Sequence, residues 1–96
     1  MHARVTMIGG SPDGIDSGVA NFQNDALPVI KEIGGRGGIL LVDRSSGNSM
    51  AITLWPDEQT MQASEERANE LRRRVTEQMS AGEPRVERYE VAVFET

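Results

Sequence analysis

The sequence predicts an α+β domain: a four-stranded antiparallel sheet carrying two helices on one face. Three observations predict it. The stretch 38–55 holds two β-rich runs, Ile39-Leu40-Leu41-Val42-Asp43-Arg44 and Met50-Ala51-Ile52-Thr53-Leu54-Trp55, around the polar turn Ser45-Ser46-Gly47-Asn48, which is a hairpin signal. On each side of this hairpin, apolar residues recur at helical steps. A further strand-like run stands near each end of the chain. The order is therefore strand, helix, strand, strand, helix, strand, the ferredoxin-like split βαβ plan. Its right-handed crossovers put both helices on the same face.

Each element has its own reason. Residues 3–8 read as the first strand, with Val5 and Met7 on one face and Thr6 and Ile8 on the other. Gly9-Gly10-Ser11-Pro12-Asp13-Gly14 ends it, since these residue types build turns. A helix follows over residues 13–33 or 15–33. Ile15, Val19, Phe22, Ala26, Val29 or Ile30, and Ile33 step by three and four and draw one stripe. Gly14 and Gly18 weaken its first turns. Pro28 lacks an amide donor and is expected to kink or divide the helix near residues 24–27.

Gly34-Gly35-Arg36-Gly37-Gly38 ends that helix. Four glycines in five residues invite a phosphate-cradle reading. Phosphate loops lead from a strand into a helix, however, and this one leads from a helix into a strand. It reads as a helix C-cap and a tight turn. After the hairpin, Trp55-Pro56-Asp57-Glu58 offers the proline and acidic residues favoured in a first helical turn. The second helix spans residues 57–80 and is ended by Gly82 and Pro84. Its stripe is Met61, Ala68, Leu71, Val75 and Met79, with Ser64 where a larger apolar residue is expected. Arg67, Arg72, Arg73 and Arg74 interleave with Glu65, Glu66, Glu70 and Glu77, a solvated face with spaced ion pairs worth about 0.3–0.5 kcal/mol each. The last strand covers residues 86–94, with Tyr89, Val91 and Val93 on one face and Ala92 and Phe94 on the other.

Composition excludes several classes of function. Residues 1–96 make one domain. There is no Cys, and His2 is the single His, so neither a thiolate or His metal site nor a Ser-His-Asp triad is expected. The net charge of −5 argues against nucleic acid as a partner. No apolar run approaches a membrane span, and the first residues lack the apolar core of a signal peptide. A cytoplasmic location is the default expectation.

One feature of the sheet points to a partner. Both faces of the strands are apolar: Leu40 and Val42 alternate with Ile39 and Leu41, and Thr53 and Trp55 alternate with Ile52 and Leu54. Two helices cover only one face. The other needs a second cover, and a second copy of the same sheet across a two-fold axis supplies it most simply. A homodimer with its sheets packed face to face is expected.

The run Gly37-Gly38-Ile39-Leu40-Leu41-Val42-Asp43-Arg44, the polar turn, Ile52-Thr53-Leu54-Trp55, the acidic opening of the second helix and the ending Val86-Glu87-Arg88-Tyr89-Glu90-Val91 resemble the antibiotic biosynthesis monooxygenase-like domain of the dimeric α/β-barrel superfamily. The resemblance covers nearly the whole chain and rests most on Trp55 and the acidic turn after it. It implies dimerisation through sheet faces and a ligand cavity between the helices and the sheet of one subunit. The family includes oxygenases that act on polycyclic phenols without metal or flavin, haem-degrading enzymes, and members without known activity. In the polycyclic oxygenases an Asn precedes the Trp by four residues; Ala51 stands here. The second Trp and the His of the haem degraders correspond to Ser64 and Arg74, and their first-strand Asn falls near Thr6. The resemblance thus implies no haem chemistry and no cofactor.

The residues it suggests for the cavity are Thr6, Asn21, Phe22, Trp55, Ser64, Asn69, Arg72 and Tyr89. Cofactor-free oxygenation asks for a dry apolar slot, a flat wall and a donor for a developing anion. Trp55 could be the wall, and Arg72 or Asn69 the donor. Each also has a plain structural reading: Trp55 as a core residue stapling the second helix, Arg72, Asn21 and Asn69 as surface residues, and Tyr89 as a half-buried edge residue. Two functions follow. One is a small dimeric oxygenase-like enzyme binding a hydrophobic or aromatic metabolite. The other is a non-catalytic homodimer of the same fold that binds a ligand or a protein.

Overall fold

The hairpin forms where the alternation places it. In the computed structural model, which describes residues 1–78 and 84–96, β2 (Gly37–Val42) pairs antiparallel with β3 (Ser49–Trp55), Leu40 opposite Ala51. Asp43 sets the turn between them. Its carboxylate accepts the amides of Ser45 and Ser46, and its own amide donates to the Asn48 carbonyl. Gly47 closes the turn at φ +84°, and a Cβ there would lie 2.4 Å from the Ser11 carbonyl carbon. Only glycine fits, because both the backbone region and the neighbouring chain exclude a side chain.

The outer strands complete one sheet of order β2-β3-β1-β4. β1 (His2–Ile8) lies in the middle, antiparallel to both β3 and β4 (Arg85–Glu90). The expected last strand runs to residue 94, but the ladder stops at Glu90. Glu90 already faces His2 at the start of β1, and the Val91 amide makes one more bond, to the Met1 carbonyl. Val93 and Phe94 have no strand left to pair with and are exposed.

The first helical segment divides where Pro28 requires. α1 (Ile15–Asn21) gives way to a π-helical turn at Phe22–Ala26, then α2 (Leu27–Glu32). The wider turn accommodates the missing proline donor without ending the helix. The Gly35 amide donates to the Ile30 carbonyl and Gly34 to Lys31, so the glycine cluster serves as a C-cap. The second helical segment also divides. Asp57 caps α3 (Glu58–Ala63) by accepting the Thr60 amide at 2.7 Å. Ser64 then interrupts the helix before α4 (Glu65–Gln78). The expected helix end at Ser80 and Gly82, and Met79 of the stripe, lie outside the described residues, as does the side chain of Val75.

The core lies between this helical layer and the inner face of the sheet. Phe22, Ala26, Ile30, Trp55 and Met61 form its main cluster, and Ile8 with Ile15 a second. Phe22 reaches β2 because Gly38 leaves room: a Cβ there would meet the Phe22 ring at 3.1 Å. The opposite face of the sheet carries Val5, Met7, Met50, Ile52 and Leu54, with Ile39 and Leu41 42% and 51% exposed. No helix among the described residues is long and apolar enough to cross a membrane.

Candidate functional site

Strand pairing sets one row across the inner face of the sheet: Arg88 on β4, Arg4 on β1, Thr53 on β3 and Gly38 on β2. Two directly opposed arginines repel. Glu65, the first residue of α4, resolves this by accepting from both: its carboxylate is 2.5 Å from Arg4 Nη2 and also pairs with Arg88. Arg4 is 3% exposed. Its Nη2 also donates to the Met61 carbonyl at 2.7 Å and to Ser64 Oγ at 3.1 Å, where the break between α3 and α4 frees a carbonyl. Ser64 Oγ donates to the same carbonyl at 2.6 Å. The guanidinium carbon stands 5.2 Å from the centroid of the Trp55 ring, within cation–π range. Trp55 is wholly buried, and its Nε1 donates to Thr53 Oγ1 at 3.0 Å.

A cavity of about 60 Å³ adjoins this cluster between helices and sheet. Its lining is polar at Arg4, Thr6, Ser49, Thr53 and Arg72 and otherwise made of apolar side chains that include Ile15, Phe22, Ile30, Leu40 and Trp55. None of the described residues lining it is Asp or Glu. Arg4 Nε, Arg72 Nη1 and Ser49 Oγ are buried without a hydrogen-bond partner among the described residues. Burial first, then the charges of Arg72 and Arg88, push the Arg4 pKa down to about 10, so it stays cationic at neutral pH. Burial also lowers that of Arg72.

The structure brings together some of the residues suggested by sequence and separates others. Trp55, Arg72, Thr6 and Phe22 line the cavity. Ser64 is buried behind it, bonded to Arg4 rather than facing the space. Asn69 is exposed on α4 and touches the site only by accepting from Arg72. Asn21 is buried but does not line this cavity; it borders a separate groove with Asn24, Asp25 and Arg74. Tyr89 requires a correction. It is paired with Ala3, which puts it on the other face of the sheet, 50% exposed and donating to Glu87. Strand parity grouped Tyr89 with its neighbours, but only the register against β1 decides which face meets the helices. Arg4 is the residue that sequence reasoning missed. Its one sequence trace is the undersized Ser64 on the opposing helical stripe. No group of three or more His, Cys, Asp or Glu suited to a metal occurs among the described residues.

No family model matches the chain. The uncharacterised proteins Rv2558 and Rv2557 of Mycobacterium tuberculosis are 38% and 37% identical to it over 95 residues, 98% of its length. The chain spans only 40% and 42% of those proteins. Among solved structures, a monooxygenase from the gene ActVA-Orf6 of Streptomyces coelicolor, in complex with nanaomycin D, superposes with a TM-score of 0.75 at 15% identity, covering 99% of this chain and 92% of that one. Rv0793 from Mycobacterium tuberculosis gives 0.64 at 17% identity, covering 99% and 96%. An antibiotic biosynthesis monooxygenase gives 0.67 at 16%, covering 97% and 100%. Identities this low establish architecture and not chemistry. The chain has the α+β, ferredoxin-like fold of the antibiotic biosynthesis monooxygenase-like domain.

Proposed function

We propose that this chain is a homodimeric, monooxygenase-like domain that binds a small hydrophobic or aromatic metabolite between its helices and sheet and acts without a cofactor. The observation that carries the reading is the lined cavity itself: an apolar slot walled by Trp55 and Phe22, with the guanidinium groups of Arg4 and Arg72 in its lining. That pairing supplies a flat surface for a ring and a donor for a developing oxyanion. The dimer would form through the sheet face holding Ile39, Leu41 and Ile52, which no part of the described chain covers.

The volume favours a second reading. About 60 Å³ is well below the roughly 150 Å³ that accommodates one benzene ring in an engineered cavity. A fused-ring substrate requires the helical layer to move outward, and the π-helical turn carrying Phe22 and Ala26 is the irregular part of that layer. Without that motion the domain is a non-catalytic ligand- or protein-binding dimer. A thermal-shift screen of polycyclic phenols, quinones and haem, followed by oxygen uptake with each compound bound, separates the two. The enzyme reading expects a phenol to raise the Tm and to consume oxygen at a protein-dependent rate. Binding without oxygen uptake supports the non-catalytic module. No binding by any compound, with the fold intact, removes both small-molecule versions and leaves protein partners.

A further inference from the structure

We infer that the end of the cavity between Arg4 and Arg72 is an anion subsite, and that it takes the carboxylate head of a small organic acid whose apolar body lies against the Ile15–Phe22–Leu40 wall. The inference deepens the proposed function and rests on its reading of this cavity as a ligand site.

Three independent observations converge. The first is charge. Arg4, Arg72 and Arg88 bring three cations to this end, and Glu65 is the one described carboxylate that bonds to any of them. Glu65 is shared by Arg4 and Arg88, while among the described residues Arg72 bonds only the neutral Asn69 oxygen. The excess is two positive charges, and one monoanion would halve it. The second is geometry. Arg4 Nε and Arg72 Nη1 are buried donors without partners among the described residues, and both residues line the same cavity. Leaving such donors unpaired costs roughly 1–3 kcal/mol each, more for charged groups, and a carboxylate has two oxygens with which to meet both. The third is size. About 60 Å³ is well below the roughly 150 Å³ of an engineered cavity that holds one benzene ring, which suits a carboxylate with a short tail better than a ring in this closed form. The depressed Arg4 pKa agrees, since the charge of an adjacent anion would offset the burial and repulsion that lower it.

The probe is propionate, with propionamide as its neutral counterpart of the same shape, titrated into the intact protein at constant ionic strength. The readouts are the Arg4 Nε–H and Trp55 indole N–H cross-peaks in a proton–nitrogen NMR spectrum. Propionate is expected to shift both peaks saturably and propionamide to shift neither. Arg72→Gln should weaken propionate binding about tenfold, and Arg72→Lys, which keeps the charge, by no more than about threefold. Equal shifts with the amide, no shift with either compound, or an unchanged affinity in a folded Arg72→Gln would overturn the inference. Should Arg72→Gln fail to fold, the contrast between acid and amide in the wild-type protein decides alone. The two proposals fail separately. A phenol that binds while propionate does not removes the anion subsite and spares the ligand cavity; propionate bound with no phenol bound keeps the anion subsite and removes the aromatic substrate of the enzyme reading.

Discussion

Arg4 holds the site together, and its environment explains Ser64. The apolar stripe of the second helical segment loses a large side chain at residue 64 because the Arg4 guanidinium occupies that space and binds the Met61 carbonyl exposed by the helix break. Replacing Arg4 by Met removes these bonds and one arm of the Glu65 pair. Breaking a buried ion pair costs about 3–5 kcal/mol, and Arg4→Met should approach the lower end because Glu65 keeps Arg88. Urea denaturation measures it, and a loss below about 1 kcal/mol would contradict the role given to Arg4. Ser64→Ala deletes one hydroxyl and should cost about 1 kcal/mol. Ser64→Leu should cost more than Ser64→Ala, because the larger side chain must displace the guanidinium. At this scale the sequence was legible only in part. Trp55, Thr6 and Phe22 fall on the cavity wall; periodicity puts Phe22 on an apolar helical stripe and groups Thr6 with Ile8 and Trp55 with Thr53, without saying which strand face meets the helices. A single Arg between Ala3 and Val5 gives no periodic signal. The side of the sheet taken by Tyr89 depends on pairing between residues far apart in sequence.

The elements were more legible than their interruptions. Turn chemistry and apolar spacing located all four strands and both helical segments. Pro28 marked the place where the first segment divides, though the form of the division, a π-helical turn, follows from packing of Phe22 and Ala26 on the sheet. The break at Ser64 had no propensity signal, because it is stabilised by a residue from another element. Two substitutions test the elements. Gly47→Ala places a methyl group against the Ser11–Pro12 backbone at a positive φ; a strained backbone site alone costs about 1–3 kcal/mol. Its loss of stability should exceed that of Gly37→Ala, where the φ is +133° but nothing lies within 4 Å. Asp57→Ala should lower the Tm at neutral pH by removing the α3 cap. Hydrogen bonds from Thr60 hold the Asp57 pKa below its ordinary 3.8. The stabilisation linked to its charge is thus complete above 3.8 and is lost as pH falls through the lower folded value. The Tm gap between wild type and variant should narrow over that acid range, and a constant gap would count against the cap's charge.

For the whole molecule, the order β2-β3-β1-β4 with helices on one face followed from connection rules, and the two-sided apolar pattern of the hairpin followed from alternation alone. The pattern foretold an exposed apolar sheet face, which Ile39 and Leu41 display. What covers it is the dimer proposal. Leu41 is half exposed in the protomer, so Leu41→Glu should leave the fold intact and halve the mass seen by light scattering. A wild-type protein already monomeric at micromolar concentration would remove the dimer. Chemistry was the least legible property, since solved structures of this architecture share only 12–17% of their residues with the chain. The central claim is that a ring can enter beneath Trp55. Because Trp55 is the single tryptophan, its emission reports that event directly. The decisive measurement is a fluorescence titration of the wild-type protein with 1-naphthol. Saturable quenching at one ligand per protomer is the expected result. Unchanged emission up to millimolar naphthol, with the protein still folded, would contradict a ligand site between helices and sheet.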